Sequence, residues 1–472
     1  MPHPTRRQVL AAAPALLRGA APKQKNVLLI MCDEHKPHAL GIDEDPLART
    51  PNLDALARQS VRFEHAYCTN PVCVPSRFSL MTGLYAHKGH IYGNNNPWPS
   101  SIKTLAQYFD AAGYATANIG KMHAVDNSPH GFEHFLEIKD WFNYLGPKRK
   151  IWDDEMDRNG KDGRKGPVHV GRVSLLPEEN HFESWVARES IRYLTERKHD
   201  RPFFLVSSFI KPHDPFMPAE RFAKLFPPQK VKLPDTWGKL DVSTVPRRVR
   251  TAVLESPHTP ELLNPDQARI RIAMYYANLM QSDERIGTVL DTLRSLGLDD
   301  DTIILYTSDH GDMVGDKGMW LKFQMYENSV GVPLMFRVPG MTRGGSRTAS
   351  PASLVQVVPT LAELCGFDVP AKLDGPSLVP SLKHPEERLD SIAYSEFGLP
   401  TGMQMLRRGD HKYIYNRNDM EQLYDLRRDP KEMTNLALDP AHQDTAATLR
   451  REMAAILDPA AKLPPGTTKA QN

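Results

Sequence analysis

The chain has 472 residues, 25% of them charged and 40% hydrophobic, with a formal net charge of +2 at pH 7. This composition excludes a disordered polypeptide, and the near balance of charge gives no electrostatic footprint for nucleic acid or a membrane surface. Four cysteines, Cys32, Cys68, Cys73 and Cys365, are too few for a disulfide framework and form no CxxC or Cys/His cluster for zinc.

Residues 1–22 carry the twin arginines Arg6 and Arg7, an apolar run from Val9 to Leu17, and the small residues Gly19-Ala20-Ala21. This pattern resembles a twin-arginine export signal and predicts a periplasmic or secreted protein; the run is too short to span a membrane. Asn26 to Met31 is a continuous apolar run that predicts a central parallel strand, with Cys32-Asp33-Glu34-His35 at its carboxyl end. Thr50 before Pro51 predicts a capped helix over residues 51–57. Ile102 to Ala112 reads as a helix closed by Gly113, and Tyr114 to Ile119 as a strand ending at Gly120-Lys121-Met122-His123. Glu183 to Lys198 is an amphipathic helix. Pro202 to Ile210 is a buried strand that runs into Lys211-Pro212-His213-Asp214-Pro215. A long helix covers Pro265 to Leu296, and the strand Thr302 to Thr307 ends at Ser308-Asp309-His310-Gly311-Asp312. Beyond residue 385 the pattern changes to short strands over 391–397, 403–408, 411–416 and 422–425, followed by a helix over 444–456.

This alternation predicts an α/β fold with a mainly parallel sheet flanked by helices over 26–385. A small C-terminal α+β subdomain over 386–460 and a disordered tail over 461–472 complete the expected organisation. Ligand sites of open α/β sheets lie beyond the carboxyl ends of the strands. Asp33, Lys121, His123, His213, Asp309 and His310 all follow such ends and are expected to converge, although they are far apart in sequence.

An isolated cysteine is ordinarily a small buried hydrophobe. Cys73 stands apart because Cys73-Val74-Pro75-Ser76-Arg77 is followed by Leu80-Met81-Thr82-Gly83. Together with Gly120-Lys121-Met122-His123, Ser308-Asp309-His310-Gly311, the downstream Lys322, and Leu423-Tyr424-Asp425 near the C-terminus, this set resembles the type I sulfatases of the alkaline-phosphatase-like superfamily. In style it is nearest the choline-sulfatase and phosphonate-monoester-hydrolase branch.

The resemblance implies that a formylglycine-generating enzyme oxidises Cys73 to an aldehyde, whose hydrate is the nucleophile. A Cys68–Cys73 disulfide would block that maturation. It implies one divalent cation held by Asp33, Asp309, His310 and modified Cys73, with Glu34 as a further ligand or a solvated neighbour. Calcium is the expected ion, and His310 keeps manganese as the alternative. Lys121 and Lys322 would bind sulfate oxygens, His213 would protonate the leaving alcohol, His123 would accept the proton that releases sulfate, and Arg77 would orient the modified side chain. The expected reaction is hydrolysis of sulfate esters, with a sulfated carbohydrate or other sulfated small molecule as substrate. The competing readings are a phosphonate or phosphate ester hydrolase using the same cleft and a non-catalytic binder of sulfated glycans. The intact set of motif residues argues against the binder. The loops at 92–100, 141–172 and 230–260 are the expected seat of specificity, while the oligomeric state is not written in the sequence.

Overall fold

The structure is a computed structural model that describes residues 24–126, 128–157, 170–198, 200–256, 260–398 and 402–457. The expected export signal over 1–22 and the tail over 461–472 lie outside the described residues.

Eight strands form the main sheet: β1 Asn26–Asp33, β2 Val61–Phe63, β3 Ala115–Gly120, β4 His134–Leu136, β5 Phe203–Pro212, β6 Thr302–Ser308, β7 Leu334–Arg337 and β8 Ser346–Thr348. Their spatial order is β4-β3-β5-β1-β6-β7-β2-β8. The central pairs β3–β5, β5–β1 and β1–β6 are parallel, whereas β7 runs antiparallel to both β6 and β2. All eight residues of β1 are buried, which explains why its sequence is continuously apolar rather than alternating.

Side chains leave the sheet alternately on two faces. Val27, Leu29 and Met31 pack on one face with α2 (Cys73–Thr82) and α3 (Leu105–Ala111). Leu28, Ile30 and Cys32 pack on the other with α1 (Pro51–Ala57), α6 (Phe182–Glu196) and α7 (Pro265–Ser295). Each such buried aliphatic side chain contributes about 1.5–3 kcal/mol. The result is the expected sheet flanked by helices.

Two expectations are corrected in detail. Thr50 precedes α1 but does not cap it, because its hydroxyl donates to Asp54 Oδ1 at 3.0 Å. The cap comes from Asp283 of α7, which accepts from the amides of Asn52 at 3.1 Å and Leu53 at 2.7 Å. The helix expected from residue 102 starts at Leu105, because Thr104 and Gln107 form a capping box there.

A second, antiparallel sheet of β9 Ile392–Phe397, β10 Met403–Arg408, β11 His411–Asn416 and β12 Gln422–Asp425 follows. Tyr394, Leu406, Tyr413 and Leu423 pack under α8 (Gln443–Leu457), while Ala393, Met405 and Ile414 join the core of the main domain. Buried Lys412 reaches Glu327 at 2.8 Å across the same boundary.

Candidate active site

Four carboxyl strand ends meet the N-terminus of α2. Asp33 is the last residue of β1, Lys121 follows β3, His213 follows β5, and Asp309 and His310 follow β6. The register holds these ends level: Cys32 pairs with Ser308, Asp33 with Pro212, and Gly120 with Ser208. Gly120 has φ +108, and a Cβ there would lie 2.0 Å from the Ser208 carbonyl oxygen, so the turn that presents Lys121 requires glycine. Glu34 turns the chain off β1 with φ 68, a conformation that side-chain-bearing residues rarely adopt.

Cys73 is the first residue of α2. Its neighbour Val74 donates its amide to Asn94 Oδ1 at 3.0 Å. Ser76 donates to the Asp309 carbonyl at 2.5 Å, which ties α2 to the end of β6. Cys73 Sγ lies 3.3 Å from His310 Nε2, 3.7 Å from Lys121 Nζ and 3.9 Å from Asp33 Oδ1. All four cysteines are free thiols, so no Cys68–Cys73 disulfide forms.

Arg77 binds the two aspartates beside Cys73. Its Nε donates to Asp309 Oδ2 at 2.7 Å and its Nη2 to Asp33 Oδ2 at 3.1 Å, with both carboxylates and the guanidinium fully buried. Its remaining donors reach the Lys121 carbonyl and Ser208 Oγ. The guanidinium therefore occupies one oxygen of each aspartate and leaves the two Oδ1 atoms facing the cluster. Each Oδ1 lies 3.8 Å from His310 Nε2.

Burial pushes the Asp33 carboxyl up and Cys73 pushes the same way, yet Lys121, His213 and Arg77 hold it well below the usual carboxylate range. Burial also opposes a Cys73 thiolate, but Lys121, Lys322 and His310 together carry that thiol well below its ordinary value. His310 is moved up to about 9: burial works against its charged form, and Asp309 and Cys73 outweigh it. The site calls for positive charge among its donors.

The donor set fits a divalent cation. One ligand atom each from Asp33, Cys73, Asp309 and His310 lie within 4.8 Å of one another, all buried. His310 Nδ1 faces the Gly311 carbonyl at 3.0 Å, so a proton there leaves the Nε2 lone pair aimed at the two Oδ1 atoms. Glu34 joins a second group with Asp33 and His213, and its buried Oε1 has no hydrogen-bond partner among the described residues.

Lys322 and His213 border Glu34, and His123 stands beside Cys73. Lys322 Nζ is 3.2 Å from Glu34 Oε2 and 2.6 Å from His213 Nε2. His213 Nδ1 is 2.7 Å from the Asp214 carbonyl. Burial alone would lower its pKa, but Glu34, together with Asp33 and Asp214, raises it well above the ordinary value against opposition from Lys322. His123 is half-buried with φ 63 and hydrogen-bonds the Cys73 side chain, and its Nδ1 is without a partner among the described residues. Every residue expected from the sequence thus lies in or beside one cleft.

Some contributors are not expected from the sequence. Ser208, Ser76 and Asn94 support the cluster, and Tyr275 donates to the Glu34 carbonyl at 3.0 Å. Ser76 stands inside the Cys73 motif, but the others carry no local signal. In the loop at 92–100, Asn94 and Asn96 use their side-chain oxygens on backbone amides, and Trp98 is buried against Phe78. That loop therefore supports α2.

Residues 25–367 match the Sulfatase family, and residues 315–458 match the C-terminal region of N-sulphoglucosamine sulphohydrolase. The chain is 32% identical over 441 residues to a choline-sulfatase of Rhizobium meliloti, covering 90% of this chain and 84% of that protein. It is 27% identical over 482 residues to an N-acetylglucosamine-6-O-sulfatase of Bacteroides thetaiotaomicron, covering 88% and 83%. Among solved structures, the phosphonate monoester hydrolase of Agrobacterium radiobacter superposes with a TM-score of 0.77 over 92% of this chain and 95% of that one; at 24% identity this likeness concerns the fold.

Proposed function

The chain belongs to the sulfatase family and is a sulfuric ester hydrolase; on that premise we propose how its own residues cleave the ester and on which alcohol. The substrate class is a sulfated carbohydrate, a reading supported by the glucosamine-directed name of one relative. The observation that carries the catalytic reading is the placement of Cys73 on the N-terminus of α2, within 4 Å of Asp33, Lys121 and His310.

Cys73, once oxidised to formylglycine by its generating enzyme, supplies the nucleophilic oxygen. Asp33, Asp309 and His310, with the oxygen of modified Cys73 and with Glu34 as a further ligand or a neighbour, would hold a divalent cation, which would supply Lewis-acid polarisation of the ester when bound. Calcium suits the carboxylates, and His310 also admits manganese. Arg77 fixes both carboxylates through its rigid fork of donors. Lys121 and Lys322 offset the charge that grows on the sulfate oxygens as the S–O bond breaks. His213, or Lys322 with it, protonates the departing alcohol oxygen. His123 accepts the proton that is lost when sulfate leaves. The net reaction consumes one water and yields the alcohol and inorganic sulfate. Residues 1–22 direct the folded enzyme through a twin-arginine route, and no described helix is long and apolar enough to cross a membrane.

The test is sulfate release, measured by ion chromatography, from a 6-sulfated glucosamine. It is compared with phosphonate release from an aryl phosphonate monoester, using protein co-expressed with a formylglycine-generating enzyme. Sulfate release that disappears in Cys73→Ala supports the reading; faster cleavage of the phosphonate favours the competing ester class.

A further inference from the structure

A cavity of about 240 Å³ opens directly beside Lys121 and His213. Its apolar walls are Trp141, Phe142, Trp152, Leu176, Phe182 and Ile210, and His123, Glu183, Lys211 and Asp214 stand at its polar edge. Trp141 is 2% exposed, and its ring meets Trp152 edge-on at 5.0 Å and Phe182 edge-on at 5.5 Å. These contacts fix the aromatic walls in place, so the space between them is built.

The polar groups that share the lining are largely occupied elsewhere. The Trp141 indole N–H donates to the Asn180 carbonyl at 2.9 Å. Ser174 donates to Glu155, His181 is held between the Leu176 carbonyl and Gln281, and the Lys211 ammonium donates to the carbonyls of His213 and Pro215. A hydroxyl-rich group entering here would give up its water and recover few hydrogen bonds, at a cost of about 1–3 kcal/mol for each unpaired group. A cationic alcohol meets a different obstacle: the Arg149 guanidinium already lies 3.5 Å from the Phe142 ring centre, and the Glu183 and Asp214 carboxylates of the lining are engaged by the Lys211 amide at 3.1 Å and by His213 at 3.0 Å.

We propose that this cavity is a specificity pocket for an apolar, ring-sized group in the alcohol portion of the substrate, opening off the cleft that receives the sulfate. The inference rests on the sulfate-ester reading above and narrows it. The cleft is polar and cationic where Lys121, Lys322 and His213 stand and apolar beyond them, and a sulfate ester on an apolar ring has the same two halves. The volume agrees: an apolar cavity of about 150 Å³ holds one benzene ring, so this one takes a ring with substituents or two fused rings. The apolar ring can come from an aryl sulfate or from an apolar aglycone carried by a sulfated sugar. The chemistry at the pocket is the same, and turnover distinguishes the two.

The experiment begins with binding, which does not require turnover. Titration calorimetry of the full chain with 2-naphthol, N-acetylglucosamine and choline compares an apolar ring, a hydroxyl-rich ring and a cation. The pocket predicts that 2-naphthol binds at least about tenfold more tightly than the other two, and that Trp152→Ala and Phe142→Ala each weaken it by about tenfold or more. Circular dichroism checks that both variants are folded. Naphthol binding no tighter than N-acetylglucosamine or choline, or unchanged in both folded variants, overturns the proposal. Sulfate release from 2-naphthyl sulfate and from a 2-naphthyl glycoside of 6-sulfated glucosamine then identifies the source, and either preference supports the pocket. Naphthol binding as expected without sulfate release from any ester would contradict the sulfatase reading while leaving the pocket standing.

Discussion

Replacing Arg77 with methionine removes a buried charge while keeping most of the side-chain volume. In the wild type the guanidinium lies 2.7 Å from Asp309 and 3.1 Å from Asp33, with no solvent exposure on either side. Breaking a buried ion pair from one side costs about 3–5 kcal/mol, because the remaining charge is left uncompensated. Unfolding entropy of about 2.1 cal/mol/K per residue gives about 1 kcal/mol per degree for a chain of 472 residues. The melting midpoint in chelator should therefore fall by about 3–5 °C. The carboxylates left behind are the proposed cation donors, so calcium should restore more of the midpoint in Arg77→Met than it adds to the wild type. Differential scanning calorimetry with chelator and with calcium reads both effects. A midpoint within 1 °C of wild type in chelator, or an equal calcium increment in both proteins, would refute the argument that Arg77 neutralises and aims these two aspartates.

Lys121→Met should lower kcat by about 10²–10³-fold with a smaller change in KM, because its charge is proposed to act on the sulfate as the bond breaks; steady-state kinetics on one ester checks this. Gly311→Ala would set a Cβ 2.0 Å from the Asn328 carbonyl oxygen, so the loop after His310 must shift; loss of calcium binding by calorimetry, with helix content retained, is the expected result. Asp283→Ala removes the cap of α1 and should lower stability by about 1–2 kcal/mol in urea unfolding. Burial pushes the Glu327 carboxyl up, but Lys412 and Arg407 hold it down at about 2. Its folded-state pKa lies below the unfolded value of 4.5, so its stabilisation is fully present above pH 4.5 and is lost as the pH falls through about 2. Acid unfolding of Glu327→Gln should lack that loss, and parallel curves for the two proteins between these pH values would contradict it.

The strand-end clusters are legible in the sequence because each polar group follows a short buried stretch, continuously apolar before Asp33 and broken only by small polar residues such as Thr116, Asn118, Ser207 and Ser208 before Lys121 and His213, and buried parallel strands place such groups on one rim. Asp33, Lys121, His213 and Asp309 are all found this way. α2 is harder to read, since all ten of its residues are buried and its sequence has no polar face. The cap on α1 is hidden for another reason: Asp283 is about 230 residues away from the amides it accepts. The role of Arg77 toward two carboxylates follows only once β1 and β6 are known to be adjacent. Residues 141–172 are expected to be a specificity loop, and three of the pocket's walls, Trp141, Phe142 and Trp152, do come from there, but from the helices α4 (Ile138–Leu145) and α5 (Arg149–Met156) rather than a loop; Phe182 of α6 and Ile210 of β5 read as ordinary core.

The central claim is that Cys73 is the precursor of the nucleophile. Mass spectrometry of the tryptic peptide 63–77, from protein made in its native host or with a formylglycine-generating enzyme, tests it most directly. The account predicts the mass of an aldehyde at Cys73, trapped by a hydrazine reagent, in protein that releases sulfate. An intact thiol at Cys73 in protein that still releases sulfate would contradict it.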